Sequence, residues 1–215
     1  MDAVRGKVFY GQAGEDREVY ETFFEKPKKR NGFFVELGAF DGLNLSNTKF
    51  FEDYLGWRGI LIEPTPEEFK KLTQNRPRCI LVNAAVSSID GEVYFLGKGG
   101  TAGMIHTMAR SFMKKWHSDQ SERSYAVPSM PFSKILQKHN VQFIDFLSID
   151  VEGGEFEVLD TFDWSIPVHV IAVELDNSNP RKDQNCRGLL LNNRFNFVKK
   201  VDVSELWCNS AYGNH

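Results

Sequence analysis

Strand-like apolar runs recur along this chain with helical patterns between them, and that alternation constrains its fold more than any other feature. The runs are "FFVELG" at 33–38, "GILIEP" at 59–64, "CILVNAAV" at 79–86, "FIDFLSID" at 143–150 and "PVHVIAVEL" at 167–175. Such continuous hydrophobicity is expected of parallel strands covered on both faces. The intervening patterns predict helices at 15–25, closed by Pro27, and from Ser46 as N-cap to a stop at Gly56. Another begins at Pro66 in "PEEFKKLTQ", and others lie near 131–139, 153–162 and 183–193. "EVYFLG" at 92–97 alternates like an added strand, and "FNFVKKVDV" with "ELWCNSAY" closes the chain as a hairpin. The expectation is one α/β domain over 1–215: a Rossmann-like, doubly wound, mostly parallel sheet with a terminal antiparallel hairpin. Residues 98–127 form an irregular insertion, a candidate acceptor loop.

In such a sheet the ligand lies across the carboxyl ends of the strands. Those tips are Glu36 to Gly42, then Glu63, Asn83, Asp150 with Glu152, and Glu174. Nearly all are acidic or neutral, the opposite of a pyrophosphate cradle. The dinucleotide fingerprint G-x-G-x-x-G fails in both registers. With Gly38 second, Glu36 and Asp41 take the outer glycine places; with Gly38 first, Phe40 and Leu43 spoil the others. Carboxylates beside the turn repel phosphate and suit a cation. Glu63 sits where an acid grips ribose hydroxyls in nucleoside-binding sheets. The ligand that satisfies both is a nucleoside with a positively charged tail and no phosphate, and S-adenosylmethionine has that form.

The bulk properties narrow the partners. The formal net charge of −3 over 215 residues gives no general support for nucleic-acid binding. Basic runs, "KPKKR" at 26–30 and "KK" at 70–71, 114–115 and 199–200, read as solvated surface. Three widely spaced cysteines, Cys79, Cys186 and Cys208, suggest neither a disulfide framework nor a zinc knuckle. With no apolar leader at the N-terminus and no stretch of membrane-spanning length, a reducing, cytoplasmic location is expected. The chain could equally be a domain of a longer polypeptide.

Several blocks, in order, resemble the FkbM-type methyltransferases: "GQAGEDREV", "FVELGAFDGLNLSNT", "GWRGILIEPTPEEF", "VNAAVSSIDGEVYF" and "FLSIDVEGGEFEVL", spanning Gly11 to about Leu159. The resemblance implies an S-adenosylmethionine-dependent O-methyltransferase acting on a sugar, glycan or other small-molecule hydroxyl. It implies cofactor contacts by Gln12, Glu36, Gly38, Asp41, Gly42, Ser46, Glu63, Asn83, Ala84 and Asp150. Within it, Glu36, Gly38 and Gly42 form the methionine-end turn, Glu63 clamps ribose, and Asn83 with Ala84 edge the adenine. Glu15 and Asp16 accompany Gln12 in the opening block. Ser46 is either a ligand contact through the helix N-terminus or a plain cap.

"SIDVEGGE" is the richest acidic cluster. A sugar hydroxyl is a poor nucleophile unless its proton leaves as it attacks. Candidate bases are Asp150, Glu152, Glu155, Glu174 and His106. Asp150 and Glu174 could instead hold a divalent cation that orients and acidifies the hydroxyl. His117 reads as a bystander. Two other readings stay open: a dinucleotide-dependent oxidoreductase, and a catalytically silent module that retains the fold.

Overall fold

A computed structural model describes residues 8–119 and 121–212; most of the N-terminal stretch read for a leader lies outside them. The main sheet has seven strands: β1 (Phe33–Leu37), β2 (Arg58–Ile62), β3 (Ile80–Val82), β8 (Ile144–Ile149), β9 (Val168–Glu174), β10 (Phe195–Val201) and β11 (Ser204–Asn209). Their order is β10-β11-β9-β8-β1-β2-β3, and the five from β9 to β3 run parallel. β11 pairs antiparallel with both β9 and β10, which completes the expected hairpin.

Period-two alternation sends successive side chains to opposite faces. Val35 and Leu37 join Ile60, Ile62, Ile149 and Val173 in one core. Covering that face are α5 (Phe132–Lys138), α6 (Glu155–Asp160) and α7 (Pro180–Asn192). Phe34, Leu61 and Phe146 enter a second core with α1 (Glu15–Val19), the π-helical turn at Tyr20–Phe24, α2 (Lys49–Leu55) and α3 (Pro66–Asn75). This second core is aromatic: Phe51 touches Phe24, Phe50, Trp57 and Phe146 at centroid separations of 4.8 to 5.9 Å. Gly56 ends α2 in the left-handed conformation, and Pro66 opens α3, as the sequence predicts.

The structure corrects the sequence reading in three places. The run 79–86 is two strands, β3 and β4 (Ala85–Val86), broken at Asn83–Ala84 and belonging to different sheets. The run at 92–97, here β5 (Gly91–Leu96), does not extend the main sheet. It joins β4, β6 (Gly103–Met104) and β7 (Tyr125–Met130) in a smaller sheet of order β4-β7-β5-β6 with its own apolar core of Ala85, Val93, Phe95, Met104 and Val127. The insertion 98–127 therefore carries structure: a 3-10 turn at Gly99–Thr101, β6, α4 (Arg110–Trp116) and the start of β7. Two-residue strands give no periodicity, which is why they escaped notice. No helix among the described residues is long and apolar enough to cross a membrane.

Candidate active site

The strand order reverses between β1 and β8, and the chain opens a cleft there, at the carboxyl ends of the parallel strands. The cleft encloses about 880 Å³ including its mouth. Gly38, Ala39 and Phe40 form one wall, Glu63 and Thr65 another, and Asp150 to Glu152 the floor. The small sheet and its loop close the far side with Ala84, Val86, Phe95, Gly99 and Met104.

Among the cofactor residues read from the sequence, Gln12, Gly38, Ser46, Glu63, Ala84 and Asp150 line this cleft. Gly38 has φ +75°, and a Cβ there would lie 1.7 Å from the Asp150 carbonyl oxygen. Only glycine lets the end of β1 pass that close to the end of β8. Glu63 is 5 % exposed; its Oε2 accepts from Phe40 N (2.9 Å) and its Oε1 from Thr65 N (2.7 Å) and Thr65 Oγ1 (2.5 Å). Burial, outweighing those donors, pushes its carboxyl up to about 7. Gln12 is held over the cleft by a bridge between Gly11 and Leu45. Asp16, accepting from Tyr10 N (2.7 Å), and Glu15, accepting from Ala13 N (2.9 Å), anchor that loop without facing the cleft.

Glu36, Asp41, Gly42 and Asn83 do not line the cleft. Glu36 shares a face with Phe34, so it points beneath α2. It accepts from Ser46 Oγ (3.0 Å), Asn47 N (2.7 Å) and Thr48 Oγ1 (2.6 Å). Burial raises its pKa, and Arg76 beside it (3.9 Å) opposes the rise. Asp41 accepts from Leu43 N (2.9 Å) and Asn44 N (2.8 Å), shaping the turn. Gly42 leaves room for α3: a Cβ would meet Leu72 at 2.4 Å and Arg76 at 2.7 Å. Asn83 Nδ2 donates to the carbonyls of Glu63 (2.8 Å) and Pro64 (3.1 Å), fixing the strand tip. The acids of the first turn thus build the loop. Ser46 also caps, since its Oγ accepts from Lys49 N at 3.1 Å although α2 itself begins at Lys49.

The residue that organises this loop is one the sequence did not single out. Arg76, at the end of α3, is fully buried. It contacts Glu52 through Nε, donates to Gly42 O (3.1 Å) and Ser46 Oγ (3.1 Å) through Nη1, and to Thr48 Oγ1 (3.2 Å) through Nη2. An arginine at a helix end ordinarily reads as surface, and no local pattern marks its partners at positions 36 and 52.

Carboxylate oxygens of Asp150 and Glu152, on the floor, and of Glu174 beside them lie within 4.8 Å of one another. Asp150 and Glu174 end adjacent strands, β8 and β9, side by side. Glu152 is turned in by a left-handed φ of 52°. Desolvation and then the Asp150 charge raise Glu174 strongly; Asp150, although exposed to the cleft, is also raised by desolvation, and its hydrogen bond with Glu174 opposes the rise. Two carboxyls this close titrate as a pair, and the shifts favour the proton on Glu174. Burial, followed by the charges of Asp150 and Glu155, pushes Glu152 up to about 8.

Glu155 and His106 stand outside this cluster. Glu155 is buried under the turn, accepting from Gly153 N (3.0 Å) and paired with Lys182. His106 lies in a neighbouring groove, 2.9 Å from Glu157 Oε1. His117 is wedged between Glu122 (2.9 Å) and the Thr101 carbonyl (3.0 Å), pinning the insertion.

A sheet of this order with its cleft at the reversal point is the fold of S-adenosylmethionine-dependent methyltransferases. Among solved structures, the chain is similar to a putative rRNA-methylase from Clostridium thermocellum (9% identity, 94% of this chain and 96% of that one, TM-score 0.50). It is also similar to a TehB-like SAM-dependent methyltransferase from Corynebacterium glutamicum (8%, 96% and 91%, TM-score 0.48). A third is Aeropyrum pernix fibrillarin, solved with natively bound S-adenosyl-L-methionine (12%, 84% and 66%, TM-score 0.45). No curated protein matches the sequence. The model of the methyltransferase FkbM domain matches residues 36–200, and the chain belongs to that family.

Proposed function

We propose that this protein transfers a methyl group from S-adenosylmethionine to a hydroxyl oxygen, on a sugar or glycan. The observation that carries the O-methyl reading is the set of three carboxylates at the cleft floor. A proton must leave a hydroxyl as it attacks, and these acids are placed to receive it.

The cleft suits the cofactor. Ile62, Ala84, Val86 and Phe95 supply an apolar slot for a purine, and Glu63 retains one acceptor site for a ribose hydroxyl beyond the three donors it already serves. The Asp150 carboxylate supports a cationic tail. A phosphate would find little here, because the Phe40 amide of the turn is already committed to Glu63. When bound, the cofactor supplies an electrophilic methyl group on a sulfonium. Asp150, the more acidic member of the pair, is the residue that would take up the hydroxyl proton. Glu174, kept protonated, donates to Asp150 and holds it in place. The same residues, with Glu152, would hold a divalent cation, which would orient and acidify the hydroxyl. Cytoplasmic residence is part of the proposal, supported by three free thiols.

The test is a labelled-methyl screen over sugars and oligosaccharides, with and without chelator. Transfer to a hydroxyl that is lost in Asp150→Asn supports the reading. Transfer only to nitrogen or carbon, or NAD rather than S-adenosylhomocysteine raising the Tm, defeats it.

A further inference from the structure

The Lys114–Lys115 run reads from sequence as solvated surface, but its helix occupies a particular place. α4 buries none of its residues, and two turns of helix gain little from propensity alone. Both of its ends are tied to the cleft. At the C-terminal end His117 holds the Thr101 carbonyl, next to the cleft-lining Gly99 and Gly100. At the N-terminal end Ser111 Oγ lies 3.5 Å from the carbonyl of Ser178, in the loop that leaves β9 just past Glu174. The chain leading into α4 packs on Glu152 and Gly153: a Cβ on Gly103 would be 3.0 Å from Glu152 O, and one on Gly153 3.2 Å from Thr107 O. α4 thus flanks the mouth on the side of the acidic floor.

Its chemistry is opposite to the floor's. Residues 98–124 hold five Lys or Arg against two acids, a local excess of +3 in a chain whose net charge is −3. Arg110, Ser111, Lys114, Lys115 and Trp116 are exposed, whereas Phe112 and Met113 are half-buried. Trp116 is 51 % exposed, with Lys115 Nζ 4.6 Å from its ring centroid. The outward surface is therefore a cationic rim with one aromatic plate.

We propose that α4 is the docking site for an acidic saccharide, which makes the methyl acceptor a carboxylated or sulfated sugar chain; this rests on the O-methyltransferase reading. The floor carboxylates repel the acceptor's anionic groups and the rim attracts them, so the separated charges orient a neutral hydroxyl inward. Trp116 offers a flat apolar face to a sugar ring. A bilayer is the poorer match, because the apolar side chains Phe112 and Met113 are not the ones turned outward.

Trp116 is the only exposed tryptophan of the four, so intrinsic fluorescence reports on this site. The wild-type protein is titrated with a heparin-derived hexasaccharide, maltohexaose, phosphatidylserine vesicles and poly(U), each followed by fluorescence and calorimetry. The sulfated hexasaccharide is expected to bind and maltohexaose not to; K114E/K115E weakens binding about tenfold, and added salt weakens it further. W116A abolishes the fluorescence response and lowers calorimetric affinity. Because Lys114, Lys115 and Trp116 are exposed, both variants keep a Tm close to that of the wild type. Equal binding of maltohexaose, no effect of K114E/K115E, or binding of vesicles or poly(U) without the hexasaccharide each overturns the proposal. A parallel S-adenosylhomocysteine titration separates failures: cofactor binding without saccharide binding refutes the docking site alone, whereas saccharide binding without cofactor binding refutes the methyltransferase reading.

Discussion

Replacing Arg76 with Met tests whether the acids of the first turn are loop builders. The side chain is fully buried, and the change removes the cation between Glu36 and Glu52 together with donors to Gly42, Ser46 and Thr48. Breaking a buried pair costs about 3–5 kcal/mol. Two compensations favour the lower figure: Glu52 keeps Arg78 at 2.9 Å, and Glu36 keeps three hydrogen bonds. About 3 kcal/mol corresponds to a fall of roughly 10 °C in Tm for a chain of this size. Glu36 is already raised by burial, and the loss of Arg76 raises it further. A carboxyl raised in the folded state stabilises below its unfolded pKa, and that contribution is lost as pH rises through the folded value. The gap between Arg76→Met and wild type therefore widens from pH 5 to pH 8. Adding Glu36→Gln recovers part of the loss, because the amide can face the Ser46 and Thr48 hydroxyls, which rotate to accept. Urea unfolding at several pH values measures all of this. A single variant within about 1 kcal/mol of wild type, or a double variant less stable than the single one, refutes the reasoning.

Asp150→Asn and Glu174→Gln should each lower kcat by about a hundredfold or more; S-adenosylhomocysteine affinity stays within about threefold in Glu174→Gln and falls further in Asp150→Asn, which loses the charge facing the cationic tail, read by single-turnover kinetics and calorimetry. Glu63, raised from 4.5 to about 7 by burial, gives stability that is present at low pH and lost as pH rises through 7. Between pH 5.5 and 8.5 that amounts to about 2 kcal/mol, and the slope should flatten in Glu63→Ala when thermal unfolding is followed across pH. Gly38→Ala should unfold at a markedly lower temperature, because its Cβ collides with the Asp150 carbonyl and its φ is left-handed.

The sheet was legible because each parallel strand is a largely apolar run, and the strand tips follow directly from where those runs end. Glu63 and Asp150 line the cleft for that reason, and Glu174 stands beside Asp150. Glu36 was misplaced by a single alternation: β1 ends at Leu37, so the acid one residue earlier turns to the α2 face with Phe34 instead of sitting at the tip. Arg76 was invisible, since pairing across 40 residues between a helix end and a strand leaves no local periodicity. The smaller sheet was missed because β4 and β6 have two residues each, and its strands come from both sides of the insertion. His106, attractive as a histidine in an irregular insertion, lies instead in a separate groove beside Glu157.

Calorimetric titration with S-adenosylhomocysteine, of wild type and Glu63→Ala side by side, tests the central claim most directly. The account predicts that the wild type binds it, that NAD gives no heat, and that Glu63→Ala weakens binding by about tenfold through the loss of the hydrogen bond to the ribose. Equal affinity in the two proteins, or no binding to the wild type, contradicts it.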